Sequence, residues 1–316
     1  MKSKKLIIDI LIIMAAFIFF IFWYEKSKSD HTINTASINK SYLVFLITME
    51  RQSEFWERVN QGSADMARLL NINYQWRAPE SLNTDRQIEI LNQAVSEGAE
   101  AILIAVNDAV RLSEPIREAK AKGVVIIYVD APAEEEALVT LATNNYEAGR
   151  IAGENMVSEL ELEGIQEGKL GIVSVSLTNR TTILREQGFR EVIEADGRFT
   201  LIDTAYTLGN PAASQAAAAH MITENTDLVG IFGTNEGSSE GVGNAIQADN
   251  NRIVGIGFDR STRNYELLNK GSFKALIDQN PYTMGYLGMA EANAALEGFD
   301  TGPSYINTGV TVLRGR

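Results

Sequence analysis

The chain has 316 residues, 45% hydrophobic and 22% charged, with 25 Gly, 6 Pro, two His, no Cys and a formal net charge of −13. Length and composition are those of an ordinary globular protein, either two domains of roughly 150 residues or one large α/β unit. They exclude zinc-thiolate and iron–sulfur sites, thiol nucleophiles and a lipid-bearing cysteine, leave little for a histidine metal or acid–base centre, and offer nucleic acid no basic footprint.

Lys2, Lys4 and Lys5 precede residues 6–24, a 19-residue apolar run whose single charge is Asp9. Positive charge ahead of an apolar run holds the N-terminus in the cytoplasm and sends the remainder of the chain across the membrane. The run is close to the ~20 residues of a membrane span. No small-x-small cleavage site succeeds it, and it ends in Phe22, Trp23 and Tyr24, an aromatic end suited to the membrane–water interface. Residues 1–24 are therefore expected to form an N-terminal transmembrane helix, with a cleaved signal peptide as the alternative. Residues 25–40 are polar and read as a tether. Without residues 1–24 the chain carries 25 basic and 40 acidic residues, a charge of −15, which suits a soluble body held off an anionic membrane.

From Tyr42 onward, short apolar runs alternate with amphipathic stretches. Strands are expected at 42–47, 101–106, 124–129, 170–175, 228–232, 253–258 and 273–277, and helices at 55–70, 85–97, 115–122, 146–160, 211–225, 237–248 and 282–297. Near-continuous apolar strands separated by helices predict parallel sheets covered on both faces. Gly98 and Gly123 stand where helices should stop, and Pro115 and Pro211 stand in first turns. About a dozen strands are too many for one compact sheet, so the fold class is α/β with two doubly wound lobes. The break falls near Thr143–Asn145 without a long linker, as in a hinged protein.

In open parallel sheets ligands bind beyond the carboxyl ends of the strands. Thr48, Asp130, Asn235, Asp259 and Gln279 stand there, offering planar donors and acceptors that can grip adjacent hydroxyls. Arg185 adds a five-donor fork. Phe55 and Trp56, at the start of the first helix, offer aromatic faces for a sugar ring, although Phe55 reads equally well as core. The set suits a polyhydroxylated, uncharged small molecule better than a phosphate, and no Walker-type glycine loop is present.

Five segments carry a family resemblance in their order and spacing: TNNYEAGRIAG from Thr143, REQGF from Arg185, FGTNE from Phe232, VGIGFD from Val254 and IDQNP from Ile277. Over residues 41–316 the chain resembles the type I periplasmic (solute-) binding proteins of the ribose/galactose-binding group, which are related to the effector domains of LacI-type repressors. The resemblance implies two lobes joined by a three-strand hinge that close on a sugar. It divides the chain into 41–143 with 280–306, and 144–279 with 307–316. By position it implies that Asp130 and Asp259 accept from sugar hydroxyls, that Arg185 donates, that Asn235 and Gln279 complete the polar ring, that Asn145 reaches the pocket from the hinge, and that Phe55 and Trp56 form the aromatic pair.

Two departures argue against inheriting ribose specificity. Ala131 and Pro132 come after Asp130 where the ribose pattern has an Arg, and Ser53 stands where a ligand Asn is usual. The repressor branch is excluded because no helix-turn-helix precedes residue 41. The implied partner is an ABC-type permease, to which sugar is delivered. The alternative is a sugar-sensing co-receptor docking on a membrane histidine kinase or chemoreceptor.

No cofactor, metal or catalysis is expected. Residues 237–241 (GSSEG) match a G-x-S-x-G nucleophile elbow, but no His lies beyond them in the chain, and His220 lies in an alanine-rich helix. Asp130 and Asp259 form a carboxylate pair of glycosidase type only on paper. The acidic run 134–136 lacks calcium-loop spacing.

Overall fold

The structure, a computed structural model, describes residues 41–315. The expected membrane anchor and tether lie outside the described residues, and among those described no helix is long and apolar enough to cross a membrane.

The chain runs β1 (Leu43–Ile47), α1 (Glu54–Leu69), β2 (Asn73–Arg77), α2 (Thr84–Ser96), β3 (Ala101–Ile104), α3 (Ser113–Ala121), β4 (Val125–Val129) and β5 (Val139–Ala142). It continues through α4 (Asn145–Leu162), β6 (Gly168–Ser174), α5 (Arg180–Asp196), β7 (Phe199–Leu201), β8 (Ala205–Tyr206), α6 (Pro211–Glu224), β9 (Leu228–Gly233), α7 (Glu236–Ala248), β10 (Val254–Phe258), α8 (Thr262–Asn269) and β11 (Ala275–Gln279). It ends with α9 (Pro281–Leu296), β12 (Tyr305–Asn307) and β13 (Val310–Arg314).

Two sheets result, one ordered β12-β5-β4-β3-β1-β2 and the other β13-β11-β10-β9-β6-β7, with β8 on β6. All these pairings are parallel except β11 with β13. This is the two-lobed α/β architecture expected from the alternating pattern. Both faces of each sheet are buried, which is why the central strands read as unbroken apolar runs. In β1, Val44 and Leu46 pack in a core shared with Val59 of α1 and Met284 of α9, while Phe45 and Ile47 pack with Leu91 of α2 and Ile116 of α3.

Helix starts are fixed locally. Asn83, Asn144, Asn179, Asn210, Asn235 and Ser261 each accept a backbone N–H three residues on, satisfying donors the helix leaves free. Gly98 and Gly123 end α2 and α3 at φ +89° and +87°, a conformation that costs glycine little.

Strands β2, β5, β7, β8, β12 and β13 go beyond the sequence expectation. Several are short or lie at sheet edges, and β2, with the sequence NYQWR, is exposed or half-buried throughout. The chain passes from the first sheet to the second at 143–144, returns at 280 into α9, and passes again at 308–309.

Candidate functional site

A cavity of about 430 Å³ lies between residues of the two lobes, within the range of small-molecule sites. From the first lobe Phe55, Trp56 and Asp130 line it, and from the second Arg185, Asn235, Asp259 and Gln279. The eighth expected site residue, Asn145, does not. Its Oδ1 accepts a hydrogen bond from Arg185 Nε at 2.8 Å, so it orients the arginine from behind rather than reaching the pocket. Thr48 is also structural, accepting from Trp76 Nε1 at 2.9 Å and donating to the Glu50 carbonyl at 3.0 Å.

Asp130 and Asp259 occupy matching places, directly after β4 and β10, and both have φ +65°. Each backbone N–H is held by the neighbouring strand, Asp130 by the Leu141 carbonyl at 2.8 Å and Asp259 by the Ile277 carbonyl at 2.9 Å. Left-handed aspartates are uncommon and cost energy, so such positions mark places where a side chain must be aimed.

Arg185 comes from α5. Besides Asn145, its Nη1 donates to the Thr234 carbonyl at 3.0 Å, and its guanidinium lies 3.8 Å from the ring centroid of Phe258, a cation–π distance. Close packing of α4 on α5 brings Asn145 to Arg185. A Cβ on Gly149 would stand 2.0 Å from the Arg185 carbonyl oxygen, and one on Gly188 would stand 2.1 Å from that of Tyr146. Gln279, the last residue of β11, donates from Nε2 to Asp259 Oδ1 at 2.9 Å. Asn235 caps α7 through Oδ1 at 3.0 Å, leaving its amide NH₂ as a donor. The rings of Phe55 and Trp56 meet edge to face, with centroids 4.7 Å apart.

Burial dominates the electrostatics. It pushes Asp130 up to about 7, against the pull of Arg185 and with help from Asp259. Asp259 rises to about 6 for the same reason, opposed by Arg185 and Gln279. Burial also lowers Arg185, with Asp259 and Asp130 opposing. Three lining residues carry buried side-chain atoms without a partner among the described residues: Asp130 Oδ1, Gln279 Oε1 and Ser53 Oγ. Orphaned buried acceptors in a cavity wall are the signature of groups that await a ligand or water.

Sequence reasoning missed Glu236. It is the first residue of α7, where an acidic side chain reads as a helix-dipole partner. Instead its carboxylate reaches across the cleft and accepts the backbone N–H groups of Glu54 at 3.0 Å and Phe55 at 2.9 Å. Burial, with Asp259 next, pushes Glu236 up to about 8. Nothing in one sequence could have paired positions 55 and 236.

The nucleophile-elbow match is inert. Ser239 is fully buried, donating to the Gly233 carbonyl at 3.1 Å and accepting from Phe258 N at 2.7 Å, which ties β9 to β10. Among the described residues no group of three or more His, Asp or Glu could hold a metal ion.

Known proteins resemble this chain in both sequence and shape. The model of a family described as a periplasmic binding protein domain matches residues 44–300. A xylose/arabinose-binding protein of Sulfolobus acidocaldarius is 24% identical over 266 residues, which are 78% of this chain and 64% of that protein's length. The D-allose-binding periplasmic protein of Escherichia coli is 21% identical over 84% of this chain and 88% of its own. Among solved structures, a carbohydrate transporter solute binding protein from Agrobacterium radiobacter in complex with D-arabinose superposes with a TM-score of 0.84. It is 26% identical and covers 87% of this chain and 95% of its own.

Proposed function

The chain belongs to the periplasmic binding protein domain family, and from that premise we propose that it binds a monosaccharide between its two lobes and performs no chemistry on it. One observation carries the reading. Buried polar groups from both lobes, two of them acceptors without partners among the described residues, converge with an aromatic pair on one cavity of sugar size. The relatives named for xylose, arabinose and allose, and the neighbour holding D-arabinose, support the same class of ligand.

Asp130 and Asp259 accept from ligand hydroxyls, Arg185 and the Asn235 amide donate to ligand oxygens, and Trp56 packs against a ring face. A ligand touching both lobes stabilises the closed form by its differential affinity for it. An epimer with a displaced hydroxyl leaves a buried group unpaired, which is the source of selectivity.

The body works outside the cytoplasm, held by an N-terminal membrane anchor over residues 1–24 through a tether over residues 25–40, and the closed form hands its sugar to an ABC-type permease. The apolar run behind three lysines, with its aromatic end, supports the anchor. That same anchor favours a second reading, in which the closed form docks on a membrane sensor. Retention in the membrane fraction after an alkaline wash tests the anchor.

Thermal unfolding of the full chain against pentoses, hexoses and inositols tests the binding. A sugar at a hundred times its dissociation constant adds about 2.7 kcal/mol, a shift of a few degrees. Silence across this panel and across amino derivatives of its sugars would overturn the reading.

A further inference from the structure

The cavity is unevenly supplied with charge and with hydrogen-bonding groups. Among the described residues, five carboxylates line it, those of Glu50, Asp130, Glu236, Glu240 and Asp259, against one cation, Arg185. Of these, Asp130 and Asp259 are deeply buried and Glu236 is half-buried, so a single guanidinium faces two acids away from water and a third that is partly sheltered. The residue after Asp130 is Ala131 and supplies no second cation.

Of the three lining atoms unpartnered among the described residues, Ser53 Oγ can donate or accept, whereas the other two are acceptors only. Asp130 is 4% exposed and its Oδ1 meets no donor among the described residues. Gln279 is likewise 4% exposed, with Oε1 unpartnered among them. Its orientation is fixed, because Nε2 is committed to Asp259 and a flipped amide would set its oxygen against that carboxylate. The wall therefore asks for donors and for positive charge. A hydroxyl supplies one donor and no charge. Glu236 already accepts two backbone N–H groups and Asp259 the Gln279 amide, so with a neutral ligand it is Asp130 that is left to share the one guanidinium with Asp259. An ammonium supplies three donors, no acceptor and a full charge. The upward displacement of Asp130 by burial agrees with a carboxyl group that lacks its counter-ion.

We propose that the ligand of this cavity is an amino sugar, its protonated amine set against Asp130 Oδ1 and Gln279 Oε1 and its hydroxyl or ring oxygens taking the free N–H groups of Arg185. The proposal rests on the carbohydrate-binding reading above and narrows it, replacing the uncharged ligand expected from sequence with a cationic one.

The test is calorimetry on the full chain at neutral pH. The probes are hexosamines and pentosamines carrying the amine at different ring positions, each against its hydroxyl parent sugar. At least one amino sugar should bind about tenfold or more tightly than its parent, the effect of one charge-assisted contact. Asp130→Asn should cut amino-sugar affinity by a larger factor than parent-sugar affinity, and the unliganded variant's thermal unfolding reports that it is folded. Parent sugars binding as tightly as their amino counterparts would overturn the amine assignment and leave carbohydrate binding standing. Failure of both sets would overturn the carbohydrate reading itself, and this proposal with it.

Discussion

The carboxylate of Glu236 accepts the backbone N–H of Phe55 at 2.9 Å across the cleft, so a residue of the second lobe caps the first helix of the other. Ser53, the residue before α1, makes no capping bond with its own side chain. Glu54, at the start of α1, reciprocates by accepting from Thr262 N at 3.0 Å and Thr262 Oγ1 at 3.1 Å at the start of α8. Two helix N-termini are therefore completed only when the lobes are closed. Glu236→Ala should release α1, cost about 1 kcal/mol of closed-state stability and weaken ligand binding roughly fivefold. Small-angle scattering of the unliganded variant should show a larger radius of gyration than the parent. An unchanged radius and affinity would reduce the contact to a bystander.

Stability should also respond to pH. Asp130, Asp259 and Glu236 are raised to about 7, 6 and 8, above the ordinary values of roughly 4 that they recover when the chain unfolds. The folded form thus binds more protons than the unfolded form between about pH 4 and 8, and its stability falls as pH rises through that window. Melting temperature of the unliganded protein should decline from pH 5 to 8. Bound ligand should flatten the decline, because donors to these carboxylates favour their ionised forms. A melting temperature that rises over the same interval would contradict the assignment.

How much of the fold and the site is readable from the sequence depends on the range of the interaction. The lobes are legible because strands such as β3 (AILI) and β4 (VIIYV) are buried on both faces and so leave a local apolar signature. Asp130, Asp259 and Gln279 are legible as polar residues closing such runs. Edge strands are not, since β2 and β13 alternate or lie half-exposed. Glu236 escapes because its partners lie 181 and 182 positions away. Asn145 is misplaced for a related reason: proximity of the hinge to the pocket is visible in sequence order, but which way the amide turns depends on how α4 packs on α5.

Asn145, behind the arginine, is open to a test of its own. Asn145→Ala removes the acceptor of Arg185 Nε without touching the cavity wall. A buried hydrogen bond to a charged group contributes about 1.5–3 kcal/mol, so affinity should fall by roughly one to two orders of magnitude. Asn145→Asp keeps the acceptor and should retain most of the binding. Equal losses in both variants would mean that the residue serves the hinge and not the arginine.

The helix packing that holds Asn145 against Arg185 is itself sensitive to a single methyl group. Gly149 lies on α4 opposite the backbone of Arg185, and Gly188 lies on α5 opposite that of Tyr146. The obstacle in each case is a rigid carbonyl about 2 Å from where a Cβ would sit, so a methyl group can be admitted only by parting the helices. Either glycine-to-alanine change should therefore destabilise the protein by about 1–3 kcal/mol, although alanine is intrinsically the better helix former. Because parting the helices draws Arg185 from Asn145, affinity should drop as well, by more than the same substitution costs at Gly153. There the nearest atoms are Val192 Cβ at 2.8 Å and the Phe189 carbonyl oxygen at 3.2 Å, a milder overlap farther along α5 from Arg185, so the helices part less at the arginine. Denaturant midpoints and titration calorimetry on the three variants separate the two effects, and equal affinity loss in all three would break the link between helix spacing and arginine position.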